Sequence, residues 1–257
     1  MAAISRFCRF EHEGTQGWGK VMGDSEIQVI SGDPFTGYTE ENKTLSLADV
    51  RLLPPARPSK IVALGLNYRD HAKEVGLKLP EEPLLFMKPS TAVIGPGDPI
   101  VIPPISQRVD YEGELGIVIG KRAKNIEEKD AEDVIAGYIC FNDVTARDLQ
   151  YKDKQWTRAK SFDTFAPMGP FLVTGLDPSN LALKTELNGT VVQSTTTAQL
   201  IFPIRQIVSF ITQVMTLLPG DVIATGTTSG IGPMKPGDVI TVTIEGIGSL
   251  TNPVAAA

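Results

Sequence analysis

The chain has 257 residues, with 24 Lys and Arg against 30 Asp and Glu, for a formal net charge of -6. That balance, with no basic block, excludes the usual electrostatic footprint of a nucleic-acid-binding protein, and two cysteines, Cys8 and Cys140, exclude a disulfide framework or a multi-cysteine zinc site. With only two histidines, any metal site must be built mostly from oxygen ligands.

The length suits one large domain, or a main domain with a small appendage. No run approaches the roughly 20 apolar residues of a membrane span. The first 14 residues carry charges throughout and no apolar h-region, so neither membrane nor secretion is expected, and a reducing cytoplasm is. In chain order, strand-like runs come first, at 4–10, 17–22 and 26–30, separated by polar glycine-containing turns. A charged, turn-rich piece covers 32–44. The run LLPPARP (52–58) then reads as an extended connector, because repeated prolines block helix. The sequence therefore predicts a small N-terminal β subdomain over 1–55 and a main domain over 56–257.

The main domain opens with a strand at 60–64 and a short helix over 68–75. Further strands are expected at 84–87, 100–102, 112–119, 137–141, 169–174, 182–187, 222–224 and 238–244. Helices are expected at 126–135, from about 145, and after Pro203. In the last, Ile204, Ile207, Val208, Ile211, Val214 and Leu218 recur at the 3.6-residue spacing of a core-facing stripe. The terminal alanines, 255–257, read as a plain tail. Strands outnumber helices and do not alternate with them regularly. This predicts a β-rich α+β fold rather than a doubly wound or (β/α)8 architecture.

Residues 225–232, TGTTSGIG, match the glycine fingerprint of short-chain dehydrogenases letter for letter. Such a loop needs a following helix to receive a pyrophosphate, whereas Pro233 and Pro236 follow here, with 25 residues left in the chain. The segment reads instead as a turn-rich loop whose backbone N–H groups and Thr hydroxyls line an anionic site.

The chemistry concentrates in DYEGELGIVI (110–119). The apolar, β-branched run after Glu114 reads as a buried strand, and residues i and i+2 of a strand point the same way. Glu112 and Glu114 therefore share a face, with Asp110 in line. Two such carboxylates repel strongly unless the strand end is solvated, a proton is shared or a divalent cation is bound. A second apolar strand ends on Asp143. Three carboxylates completed by water suit Mg2+ or Mn2+.

Arg147 and Gln150 follow at i+4 and i+7, on one helical face with Asp143. Arg147 is placed to pair with Asp143 or Asp148, or to grip a substrate carboxylate. Lys160 is a second candidate cation, its bland alternative being a solvated surface group. His71 and Glu74, at i and i+3, form either a surface hydrogen bond or a pair in which Glu orients the imidazole and raises its basicity to activate water. His12, between Glu11 and Glu13, is assigned no role, and Cys140 reads as core.

Taken together, GLNYRDHAKE (65–74), LFMKPSTAVIGPGDPI (85–100), DYEGELGIVIGK (110–121), GYICFNDVTARDLQ (137–150), RAKSFDTFAPMGPF (158–171) and LLPGDVIATGTTSGIGPMKPGD (217–238) resemble the fumarylacetoacetate hydrolase family. The N-terminal piece resembles the small extra domain of its bacterial members. The resemblance implies a mixed β-roll, a homodimer and Mg2+ or Mn2+ on Glu112, Glu114 and Asp143. It implies His71 and Glu74 as the water-activating pair, on a segment that orders over bound substrate in the family. It implies Lys160 as the residue that stabilises an enolate, and Arg147, Gln150 and Thr227 as pocket-lining residues. The substrate implied is a small 2-oxo acid.

The activity expected is hydrolysis of a C–C bond in an acylpyruvate or related 2,4-diketo acid. The alternatives are isomerisation or decarboxylation of 2-hydroxymuconate-type diene acids, decarboxylation or tautomerisation of oxaloacetate, and a metal-binding module without catalysis. The last has no chemical need for His71, Glu74 and Lys160 together. Two departures from the family pattern stand out. Thr228 occupies the position of Pro in a loop that often reads TGTP, and Ala198, Gln199 and Leu200 stand where Ser-Asp-Met is common.

Overall fold

Short β-branched runs become the strands of one long mixed sheet. The computed structural model describes residues 3–74, 76 and 78–257, and its largest sheet has 12 strands. Ser5–His12, Thr15–Met22, Glu26–Asp33 and Gly37–Ser46 form an antiparallel meander at one end. Ser5–His12 also pairs with Ala166–Thr174, so the N-terminal strands extend the sheet of the main body. The path continues through Ile135–Asn142 and Gly113–Ile119 to Val222–Ala224, and then runs parallel into Ile61–Leu64 with Leu85–Lys88 at the edge.

A five-stranded sheet containing Ala182–Leu187, Val239–Ile244 and Gly248–Ala256 packs against the middle of the large one. The central strands are therefore covered on both faces. Leu115, Ile117, Tyr138 and Cys140 fill one core, while Val118, Ile139, Phe141 and Met168 fill another. Burial on both sides explains why these strands read as continuous apolar runs rather than as alternations. Cys140 is core, as expected, and burial pushes its thiol up to about 12.

Among the described residues the four helices are short: α1 (Arg69–Glu74), α2 (Arg147–Asp153), α3 (Thr157–Lys160) and α4 (Ile204–Val214). α1 falls within the expected 68–75, though Val75 lies outside the described residues. α4 buries Ile204, Ile207, Val208 and Ile211, but Val214 and Leu218 are exposed and Leu218 lies beyond its end.

Several expectations need correction. The segment 32–44 is not all turn. Gly37–Ser46 is a strand, exposed along nearly its whole length and held by backbone pairing to Glu26–Asp33, so it has no apolar face to announce it. Residues 126–135 form a 3-10 turn, Glu128–Val134, rather than an α-helix. Ala255 and Ala256 are no tail: they pair with Val101 and Ile102 in a parallel ladder. The connector 52–58 begins inside a short strand, Arg51–Leu53, that pairs with Ser5–His12 before its prolines take over.

Candidate active site

Sheet register builds the acidic cluster. Gly113 pairs with Asn142, so the residues flanking each come together at the same end of two neighbouring strands. The Asp143 N–H donates to the Glu112 carbonyl at 2.9 Å, and the Glu112 N–H donates to Asn142 Oδ1 at 2.9 Å. Carboxylate oxygens of Glu112, Glu114 and Asp143 all lie within 4.8 Å of one another. All three residues are buried, Glu114 and Asp143 to 1% exposure, which removes solvation as the relief of their repulsion.

Buried cations provide part of that relief. Lys160 Nζ donates to Glu112 Oε2 at 2.9 Å and to Asp143 Oδ2 at 2.5 Å. Lys88 Nζ donates to Asp143 Oδ1 at 2.6 Å and to the Val144 carbonyl at 3.0 Å. Arg147 bonds Glu112 Oε1 and also Asp110 Oδ2, the latter at 2.9 Å. Burial alone would raise the Glu112 carboxyl, but Lys160 and Arg147 outweigh it and hold it well below the usual carboxylate range.

Glu114 is the exception. Its recorded partner is the Gly226 N–H, at 2.8 Å. Burial first, then Asp143 and Glu112, push its carboxyl well above the usual range. With Asp110 included, three of the four buried carboxylates are paired with Lys88, Lys160, Arg147 or the half-exposed Arg108, and among the described residues Glu114 is left without a cation. An all-oxygen cluster with one uncompensated buried carboxylate fits a hard divalent cation such as Mg2+ or Mn2+, and the absence of a His or Cys donor disfavours zinc.

The acid–base candidates lie on α1. His71 Nδ1 is 2.8 Å from Glu74 Oε2, and the other Glu74 oxygen accepts the Gly230 N–H at 2.8 Å. His71 is 7% exposed while Glu74 reaches the surface, so the imidazole faces inward with its partner on the solvent side. It is also close enough to the cluster for a charge on its ring to reach Glu112 and lower that carboxyl.

The loop 225–232 lines an anionic site as its composition suggests, and the anions are the protein's own carboxylates, Glu114 and Glu74. Gly230 is required there. It sits at φ +92°, and a Cβ would come within 2.1 Å of the Val192 carbonyl oxygen.

The remaining expected residues take scaffold positions. Arg147 pairs with Asp110 and Glu112 rather than with Asp143 or Asp148, because Asp148 is taken by the Ser106 hydroxyl and the Gln107 N–H. Gln150 Oε1 accepts from Arg147 Nη1 at 2.6 Å. The Thr227 hydroxyl donates to the Gly113 carbonyl at 3.0 Å and accepts from Gln193 Nε2 at 2.9 Å. Lys160 is fully within the site, its ammonium 4.9 Å from the Phe86 ring centroid.

Lys88 was not singled out by sequence reasoning. Its signal, a Lys closing the apolar run Leu85–Lys88 just before Pro89, also fits a strand end reaching solvent. Burial pushes its ammonium down, only partly opposed by Asp143.

A folded unit of this kind, a metal-suited carboxylate cluster beside a His–Glu pair on a mixed β-rich body, matches a known family over most of its length. Residues 60–255 match the family described as fumarylacetoacetate (FAA) hydrolase C-terminal, and residues 5–55 match that described as Rv2993c-like, N-terminal. The chain belongs to the fumarylacetoacetate hydrolase family.

The crystal structure of a 5-carboxymethyl-2-hydroxymuconate delta-isomerase from Mycobacterium smegmatis superposes with a TM-score of 0.93 at 45% identity, over 98% of this chain and 100% of that one. A mitochondrial oxaloacetate tautomerase of Xenopus laevis is 42% identical over 91% of this chain and 76% of its own length. A maleylpyruvate hydrolase of a Sphingobium species, solved with manganese(II) and pyruvate, matches with a TM-score of 0.82 at 31% identity, over 98% and 99% of the two chains. The family thus includes isomerase, tautomerase and hydrolase members.

Proposed function

We propose that the chain is a Mg2+- or Mn2+-dependent hydrolase that cleaves a C–C bond in an acylpyruvate or related 2,4-diketo acid. The observation that carries this reading is the pair of buried His71 with Glu74, set beside the cluster of Glu112, Glu114, Asp143 and Lys160. A cation held by Glu112, Glu114 and Asp143 would supply the positive charge that polarises a 2-oxo carbonyl and makes an enolate a feasible leaving group. The manganese and pyruvate in the Sphingobium relative support that chemistry.

The chain's own residues then divide the work. His71 donates from Nδ1 to Glu74 and uses its other ring nitrogen to take a proton from water. The hydroxide adds to the distal carbonyl carbon, the C–C bond breaks, and its electron pair becomes the enolate of pyruvate. The Lys160 ammonium stabilises that negative charge, and a proton returned to the enolate carbon yields pyruvate and a carboxylic acid. Lys88 and Arg147 hold Asp143 and Glu112 in place.

A second reading, isomerisation or tautomerisation, is favoured by the names of the Mycobacterium and Xenopus relatives. It needs enolate stabilisation but no activated water. Turnover of acetylpyruvate, fumarylpyruvate, oxaloacetate and a hydroxymuconate analogue, with Mn2+ and with chelator, separates the two. Metal-dependent release of pyruvate from an acylpyruvate supports the hydrolase. Turnover of oxaloacetate or the diene acid alone supports the second reading.

The proposed setting is cytoplasmic, since Cys8 and Cys140 are free and buried and a reducing compartment keeps such thiols unpaired. The proposed assembly is a homodimer, which sedimentation tests.

A further inference from the structure

The loop after Val222–Ala224 touches both halves of the proposed site within six residues. At one end, the Gly226 N–H donates to Glu114 and the Thr227 hydroxyl to the Gly113 carbonyl. At the other, the Gly230 N–H donates to Glu74. Between them, the Thr228 hydroxyl donates to Asp70 Oδ2 at 2.5 Å and the Ser229 hydroxyl donates to the same oxygen at 3.1 Å. The other Asp70 oxygen accepts the N–H of His71 at 2.7 Å. A single carboxylate therefore joins the loop to the first turn of α1, one residue away from the base.

α1 needs such anchoring. Its described stretch, Arg69–Glu74, has six residues, and a helix that short is not sustained by its backbone hydrogen bonds alone. Burial would raise the Asp70 carboxyl, but the hydroxyls of Thr228 and Ser229 and the N–H of His71 outweigh it and hold it below its ordinary value, so it accepts as an anion. Thr228 is 1% exposed, so its hydroxyl is committed to this contact rather than to solvent. Thr228 is also where the chain departs from the TGTP pattern, and proline has no hydroxyl to offer.

We propose that Thr228 and Asp70 are positioning residues whose hydrogen bond registers the His71–Glu74 pair against the carboxylate cluster. The inference rests on the reading of His71–Glu74 as the water-activating pair. The loop acts as a gauge: the few residues between Gly226 and Gly230 fix how far the base stands from Glu114. Losing the gauge displaces the base while leaving Lys160 and the carboxylates in place.

The test uses the full-length metal-loaded protein, the double variant Thr228→Val with Ser229→Ala, and the single variant Thr228→Ser. Two quantities are measured: amide hydrogen exchange over residues 66–74, and the ratio of kcat for acetylpyruvate hydrolysis to that for oxaloacetate tautomerisation. The double variant is expected to exchange at least about tenfold faster in that segment only. Its hydrolysis-to-tautomerisation ratio should fall about 10- to 100-fold, as expected for a misplaced catalytic group. Thr228→Ser, which keeps a hydroxyl, should leave both at wild-type values.

Unchanged exchange or an unchanged ratio in the double variant, or a loss in Thr228→Ser as large as in the double variant, overturns the proposal. If the wild-type protein cleaves no acylpyruvate, the functional reading fails. The exchange measurement then decides alone whether the link between Thr228 and Asp70 orders α1.

Discussion

At the scale of single residues, the site is governed by which buried charges have partners. Asp143 has two ammonium groups, Glu112 has Lys160 and Arg147, and Glu114 has a backbone N–H alone. Glu112, Glu114 and Asp143 are legible in the sequence because i, i+2 spacing and apolar strands ending on acids put them on one face. Lys88 is not, because a lone Lys at a strand end reads equally well as solvated, and only tertiary packing encloses it. The positions of Arg147 and Gln150 follow from helical spacing, but Arg147's partner, Asp110, depends on the pairing of Val109–Tyr111 with Thr145–Ala146. Removing Lys88 from metal-free protein leaves Asp143 short of one buried countercharge. Lys88→Met should lower unfolding stability in chelator by about 3 kcal/mol, measured by urea denaturation. An effect near zero would place Lys88 outside the network.

At the scale of elements, the apolar strands were predictable and the polar ones were not. Gly113–Ile119 and Ile135–Asn142 declare themselves by composition, whereas Gly37–Ser46 owes its conformation to backbone pairing, and the end of Gly248–Ala256, past its hairpin with Val239–Ile244, to a parallel partner far away in sequence. The junction of Ile61–Leu64 with Val222–Ala224 illustrates how such distant elements are tied. Asp221 accepts from the Ser59 N–H at 3.0 Å, the Ser59 hydroxyl at 2.6 Å, the Leu218 N–H at 2.9 Å and the Lys60 ammonium. Burial would raise its carboxyl, but Lys60 and Ser59 outweigh that and hold it below its ordinary value. A folded-state value below the unfolded one means that Asp221 contributes its full stability above the unfolded value and loses it as pH falls through the folded one. Asp221→Asn should therefore destabilise the protein by about 2–3 kcal/mol at neutral pH and flatten the acid limb of a stability–pH curve. A parallel, unflattened curve would contradict this account.

At the scale of the whole molecule, the fold brings together carboxylates from two central strands, an ammonium from α3 and the His71–Glu74 pair from α1, with the 225–232 loop binding to both groups. A cation that binds only the folded state must raise its stability. At a hundred times its dissociation constant, Mn2+ should add about 2.7 kcal/mol, seen as a higher Tm, and Glu114→Ala should abolish the shift.

The central claim is that the metal-suited cluster supports the enolate while His71 supplies the water. Its most direct test compares His71→Ala with wild type, both loaded with Mn2+, in acetylpyruvate hydrolysis and in oxaloacetate tautomerisation. The account predicts a loss of about 10²- to 10⁴-fold in hydrolysis, the usual contribution of a general base, with a far smaller loss in tautomerisation. Equal losses in the two reactions, or hydrolysis that survives the substitution, would contradict it.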